Sequence, residues 1–122
     1  MEIVTIGNDD FLLRRFPLAH PNYIRPDGSI SSFAYQPSSR DIDGLSVDLE
    51  KLTTPKVTVQ DPNIFGLLKI KGGSIRAVPD LDCVHNPVDG NDAHSLIIGK
   101  ITKSKKNQLI DASERIPQAE LI

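Results

Sequence analysis

Leu45-Ser46-Val47-Asp48-Leu49-Glu50 is the stretch that decides the fold. Its apolar and polar residues alternate strictly, which is the period of a strand with one face on a core. Working outward, the neighbouring segments are short and heavily punctuated. Nine prolines and eight glycines are spread through 122 residues, with no repeat and no low-complexity tract. Upstream, Phe11-Leu-Leu-Arg-Arg-Phe16 reads as a strand or one helical turn. Pro17, Pro21 and Pro26 then hold the chain extended, because each disfavours helix at the residue before it. Asp27-Gly28 is a turn, and Ile30 to Tyr35 alternates as a second strand.

Downstream, Lys51-Leu52 suits a helical turn, and Val57 and Val59 suit a short strand. Phe65 to Ile70 and Ser74 to Val78 read as a hairpin, with Gly72-Gly73 supplying a tight turn. Pro79 to Ala93 reads as a long polar connection, and Ser95 to Ile101 as a buried strand. Thr102 or Ser104 can cap a helix running to Arg115, with Leu109, Ala112, Ser113 and Ile116 on one face. Pro117 stops it, and about the last five residues are expected to fray. The expectation is an α+β fold: one domain over residues 1–122, mostly short antiparallel strands, with a C-terminal helix.

Composition narrows the function classes. Hydrophobic residues make up 39% and charged residues 25%, which is globular rather than disordered. A net charge of −2 and only 5% aromatics argue against a nucleic-acid partner. No apolar run approaches the ~18 residues of a membrane helix. One cysteine, Cys83, and an N-terminus without a basic leader point to a reducing cytosol.

Chemistry-bearing residues concentrate between Cys83 and His94. The window holds Cys83, His85, Asn86, Asn91 and His94 together with Asp80, Asp82, Asp89 and Asp92. Long irregular connections often carry function. His85 and His94 are the candidate acid/base residues, since histidine changes charge nearest neutral pH. Asn86 and Asn91 are candidate ligand-binding residues. The spacing matches no standard zinc pattern and is too tight for a His-Asn-His nuclease module, so no metal or other cofactor is assigned. The competing reading is a turn-rich loop, in which Asn86-Pro87 and Asp89-Gly90 are turn dipeptides and the polar side chains tie down backbone. Cys83 reads as a buried thiol.

The second constellation is Arg14-Arg15 with Ser31 and Ser32. Arginines among apolar residues can grip phosphate or carboxylate bidentately, and nearby hydroxyls can complete the pocket. The arrangement resembles ADP-ribosyltransferase-type folds, in which an Arg or His on an early strand and a later serine-bearing strand hold NAD. Such enzymes also use a late polar or acidic residue. Here Glu114 falls in the expected terminal helix, and Glu50 has no partner motif. A third cluster, Lys100 to Lys106 (KITKSKK), reads as the solvated start of a helix.

The succession Leu13-Arg14-Arg15, Asp27-Gly28, Ser31-Ser32-Phe33-Ala34, Leu45-Ser46-Val47, Gly66-Leu67, Asn91-Asp92-Ala93-His94 and Gly99-Lys100 resembles a family of small bacterial proteins of uncharacterised role. The resemblance implies a single cytoplasmic domain and transfers no activity. Two functional expectations follow. The first is a non-catalytic binding or accessory protein with a protein partner or self-association. The second is a small enzyme acting on a phosphorylated or nucleotide substrate, with a histidine as acid/base and the arginines holding the anion. They separate on whether the arginines and the histidine loop share one concave pocket.

Overall fold

A computed structural model describes residues 2–122. Six antiparallel strands form one sheet: β1 (Phe11–Pro17), β2 (Leu45–Leu49), β3 (Phe65–Lys71), β4 (Asp82–His85), β5 (His94–Ile98) and β6 (Glu114–Arg115), in the order β4-β5-β2-β1-β3-β6. Three helices accompany them: α1 (Pro55–Val59), α2 (Gly72–Arg76) and α3 (Lys103–Asp111). This is the expected α+β class, with the C-terminal helix in place.

β2 behaves as its alternation requires. Leu45, Val47 and Leu49 enter the main core with Leu12, Phe16, Ile70, Ile97, Ile75 of α2 and Leu109 of α3. The opposite face of the sheet carries a second, smaller core of Leu13, Leu67, Val59 of α1, Ile116 and Leu121. β1 is therefore apolar on both sides. Leu12 and Leu13 are each essentially inaccessible to solvent, on opposite faces, and each contributes about 1.5–3 kcal/mol of burial. That double burial settles the FLLRRF segment as a strand. Over β2 and β5 the second face has no such cover, and there it presents Ser46, Asp48 and His94.

Several local expectations are corrected. Ile30 to Tyr35 is not a strand: Ser32–Tyr35 winds into a 3-10 turn, because the Ser31 side chain accepts the Phe33 N–H as its cap. Residues 57–59 are helical rather than extended. Thr54 caps α1 by accepting the Val57 N–H, and Pro55 stands in its first turn, where its missing N–H is harmless. Val57 and Val59 follow that start signal rather than their β propensity.

Gly72-Gly73 is not a hairpin turn. Both glycines begin α2, and neither has a positive φ. Their amides donate to Asp10 O (2.9 Å) and Asn8 O (3.0 Å). A Cβ on Gly72 would stand 2.7 Å from Gly7 O. The glycines allow close approach of two backbones, not a reversal. β3 pairs with β1 and β6 instead. The polar connection from Pro79 contains β4, whose buried residues are Cys83 and His85 while Val84 faces out. The helix capped by Thr102 ends at Asp111, because Glu114 and Arg115 pair with Lys69 and Leu68 on β3. The C-terminus is anchored rather than frayed. Gln118–Leu121 forms a 3-10 turn, Leu121 is buried, and Gln118 Nε2 donates to Pro62 O and Phe65 O.

Tyr35 ties the 3-10 turn to α3. Its ring is fully buried, and its hydroxyl lies 2.6 Å from Ser113 Oγ. Ser113 already donates to Leu109 O (2.7 Å), so Tyr35 is the donor of the pair. Burial pushes the Tyr35 pKa up from 10.0 to about 12. A phenol with a raised folded-state pKa stabilises fully below its unfolded value, and that contribution is lost as pH climbs through the folded one. Stability should therefore fall by up to about 2–3 kcal/mol between roughly pH 10 and 12. Urea unfolding of wild type and Tyr35→Phe across this range checks it; the loss specific to Tyr35 disappears in the variant.

Candidate functional site

Arg14 occupies a core-side position of β1, opposite Leu68 on β3. A guanidinium cannot be left among apolar side chains without partners. It reaches two main-chain carbonyls instead: Nε donates to Ala34 O (2.8 Å) and Nη1 to Ser46 O (2.7 Å). Burial lowers its pKa below the ordinary arginine value, though arginine remains charged in proteins. The consequence for the sheet is local. β1 pairs with β3 along all of its length, from Phe11↔Lys71 to Pro17↔Phe65. With β2 it pairs only at Leu12↔Leu49 and Leu13↔Asp48. Beyond Asp48 the Arg14 side chain takes over the Ser46 carbonyl from the strand ladder.

A concave pocket of about 430 Å³ opens at this break. Arg14, Arg15, Ser46, Asp48, Asn91 and His94 line it, with Thr58 and Gln60 of the α1 end closing one side. Its volume lies in the range of small-molecule sites. The arginines and the histidine loop thus share one concavity, and Asn91 joins them. Arg15 Nη1 donates to Thr58 O (3.2 Å), and its guanidinium stacks 4.9 Å over the Phe65 ring. Among the described residues neither arginine is in an ion pair.

Asp48 braces the walls. Its Oδ1 accepts from Asn91 Nδ2 (2.9 Å) and its Oδ2 from Thr58 Oγ1 (2.8 Å), linking β2 to the β4–β5 loop and to α1. Asn91 Oδ1 in turn accepts the Ala93 N–H. Gln60 ends α1 at φ 66°, ψ −61°. Asp61 N–H donates back to Val59 O (2.8 Å), a γ-turn of the rare positive-φ hand. Such a conformation costs a non-glycine residue about 1–3 kcal/mol and clusters at functional sites.

His94 is oriented by main chain. Its Nδ1 lies 2.8 Å from Asn86 O, an acceptor, so this nitrogen carries the proton. Nε2 of the neutral ring is then an acceptor, and it stands 3.2 Å from Ser46 Oγ. The other expected residues stand elsewhere. His85 is buried on the opposite face of the sheet. It accepts the Val4 N–H at Nδ1 (2.9 Å) and donates from Nε2 to Asp92 O (2.7 Å), which occupies both ring nitrogens. Ser31 caps the 3-10 turn and bonds Asn22 O, and neither it nor Ser32 lines the pocket. Asn86 contributes its carbonyl to His94 and is not itself a lining residue. Glu114 sits on the exposed β6. Cys83 is buried, and burial raises its thiol pKa. In the lysine cluster, Lys105 Nζ donates to Lys100 O and Lys106 Nζ to Gln36 Oε1.

Ser46, Asp48, Thr58 and Gln60 are absent from the expected site residues. Ser46 and Asp48 did carry a signal. They are the polar members of the alternation that identified β2, and β2 proves to be central in the sheet. A polar face on a central strand needs partners or a ligand.

Among the described residues no group of three His, Cys, Asp or Glu side chains could hold a metal ion, and no helix is long and apolar enough to cross a membrane. No family model matches the chain, nor does any curated protein or solved structure.

The two histidines should separate cleanly by substitution. His85→Leu strands the Val4 N–H and the Asp92 carbonyl and should destabilise the fold by about 1–3 kcal/mol. His94→Ala, at the pocket rim, should change stability by less than about 1 kcal/mol. Denaturant titration of both variants checks this.

Proposed function

We propose that this domain binds a small phosphorylated molecule in the pocket between β1, β2, α1 and the β4–β5 loop. The observation that carries the reading is the convergence of Arg14 and Arg15, both outside any ion pair among the described residues, with Asn91 and His94 on one concavity. The Arg15 guanidinium stands there against one carboxylate, Asp48, whose oxygens are already engaged by Thr58 and Asn91, and the Arg14 guanidinium is bonded to the main chain of Ser46 in the pocket wall. Arginine's planar fork suits phosphate oxygens, and hydrogen bonds to a charged group are the stronger kind.

No Phe, Tyr or Trp lines the pocket, and His94 is its one aromatic ring. A nucleobase would find only the small imidazole of His94 and an Arg15 plane already stacked on Phe65, so the ligand is better matched by a phosphorylated alcohol or sugar than by a nucleotide. The same feature weighs against an ADP-ribosyltransferase-like role, as does the position of Ser31 and Ser32 outside the pocket. A binding or accessory role through a protein partner has less support than a small ligand, because the candidate residues face into a concavity. A reducing cytosol is the proposed setting and suits the single buried thiol.

Inorganic phosphate is the probe. Added to ¹⁵N-labelled protein, it should shift the amides of Ser46, Asp48, Thr58, Asn91 and His94 saturably. Arg15→Ala is the test variant because its side chain is exposed and holds little of the fold together. It should weaken binding about tenfold or more. Shifts confined to Lys100–Lys106, or unchanged in Arg15→Ala, contradict the proposal.

A further inference from the structure

The pocket holds a hydroxyl and a base already in contact. Ser46 Oγ stands 3.2 Å from His94 Nε2, and His94 Nδ1 is bonded to the Asn86 carbonyl at 2.8 Å. That last bond fixes the tautomer. It leaves the Nε2 lone pair as the acceptor for the Ser46 proton. A nucleophile, a base within hydrogen-bond reach and a third group orienting the base is the arrangement of an activated hydroxyl. Here a main-chain carbonyl takes the orienting position that a carboxylate often fills.

The strand registry explains how the pair arises. His94 lies directly across from Asp48, and Ser46 is opposite Leu96. Ser46 and His94 are thus diagonal neighbours on one sheet face, close enough for a long side chain to bridge. The Asn86 N–H donates to His94 O (2.9 Å), so the carbonyl that orients the ring belongs to a residue clamped to His94 itself. Arg14 meets the same residue from the other side, with Nη1 on Ser46 O. Arg14 thus holds the main chain of the residue that carries the nucleophile.

We infer that Ser46 and His94 form a nucleophile–base pair that transfers the phosphoryl group of a phosphate monoester, with Arg15 holding the phosphoryl oxygens and Arg14 fixing the Ser46 main chain. This inference rests on the phosphate-binding reading of the same pocket. Ser46 Oγ attacks phosphorus, and its proton passes to His94 Nε2. The Oγ–P bond forms as the bond from phosphorus to the leaving alcohol oxygen breaks. The imidazolium returns its proton to that oxygen. Water, deprotonated by His94, then attacks phosphorus, the Oγ–P bond breaks, and the imidazolium returns its proton to Ser46 Oγ as inorganic phosphate leaves. The cycle consumes one water and involves no net redox change.

The test uses p-nitrophenyl phosphate with the full chain, read by p-nitrophenol release and by mass spectrometry of acid-quenched protein. The expected result is turnover with phosphate covalently on Ser46. Ser46→Ala should abolish both the adduct and the release, yet still show the amide shifts with inorganic phosphate. His94→Ala should slow release by about 100-fold or more. Conversely, wild-type protein that binds inorganic phosphate but forms no adduct and releases no p-nitrophenol overturns the catalytic inference and leaves the binding reading intact. Release that persists in Ser46→Ala overturns it equally. Absence of phosphate binding at Ser46, Asn91 and His94 sinks both.

Discussion

The structure turns on one half-buried cation. Arg14 sits where the alternation of β1 demands an apolar residue, and its guanidinium is held by the carbonyls of Ala34 and Ser46. No carboxylate pairs with it among the described residues. Carbonyl dipoles satisfy its donors without cancelling its charge. Its geometric effect is to end the β1–β2 ladder after Leu13↔Asp48. The broken ladder and the Arg14 cation coincide, and the pocket lies at that place. The neighbouring groups, Asp48 bracing α1 and the β4–β5 loop, and His94 turned toward Ser46, are arranged around it.

The two cores explain why the site has room. The main core is continuous across the sheet, from Cys83 on β4 to Ile70 on β3. The second covers only the β1–β3 side, where Leu13 and Leu67 meet Val59 and Leu121. The chain has too few apolar residues on α1 and its C-terminal turn to roof the whole second face. The remainder, over β2 and β5, carries Ser46, Asp48 and His94 beside Leu96 and is walled by α1 and the Asn91 loop. Stability and site are thus divided between the two faces of the same strands.

Much of this was legible in the residues, and the failures have physical causes. The alternation in LSVDL identified β2 and the core face, and of the two cap candidates for α3, Thr102 and Ser104, the structure uses Thr102. Arg14, Arg15, Asn91 and His94 were singled out and do meet. Three segments were misread because a cap or a tertiary approach outweighed propensity: Ser31 winds Ser32–Tyr35, Thr54-Pro55 starts a helix through two valines, and Gly72-Gly73 makes space for residues 7 and 8. β4 hid because its inward residues are Cys83 and His85 while a valine faces out. His85 could not be told from His94 by type or spacing. Only the Val4 amide, 81 positions away, shows that its ring is committed to main chain. Ser46 and Asp48 were read for their strand and not for their face, although polar residues on a central strand call for an explanation.

The role of Arg14 can be observed directly. Its Nε–H is held by Ala34 O and shielded from solvent, so its side-chain proton should exchange slowly with water, far more slowly than that of the exposed Arg15. A ¹⁵N spectrum of the arginine Nε groups, with Arg14→Lys to assign the resonance, measures this. A single strongly protected Nε–H that vanishes in Arg14→Lys is the predicted result. Exchange of Arg14 as fast as that of Arg15 would mean the guanidinium does not hold the β1–β2 break, and would contradict the account of the pocket built on it.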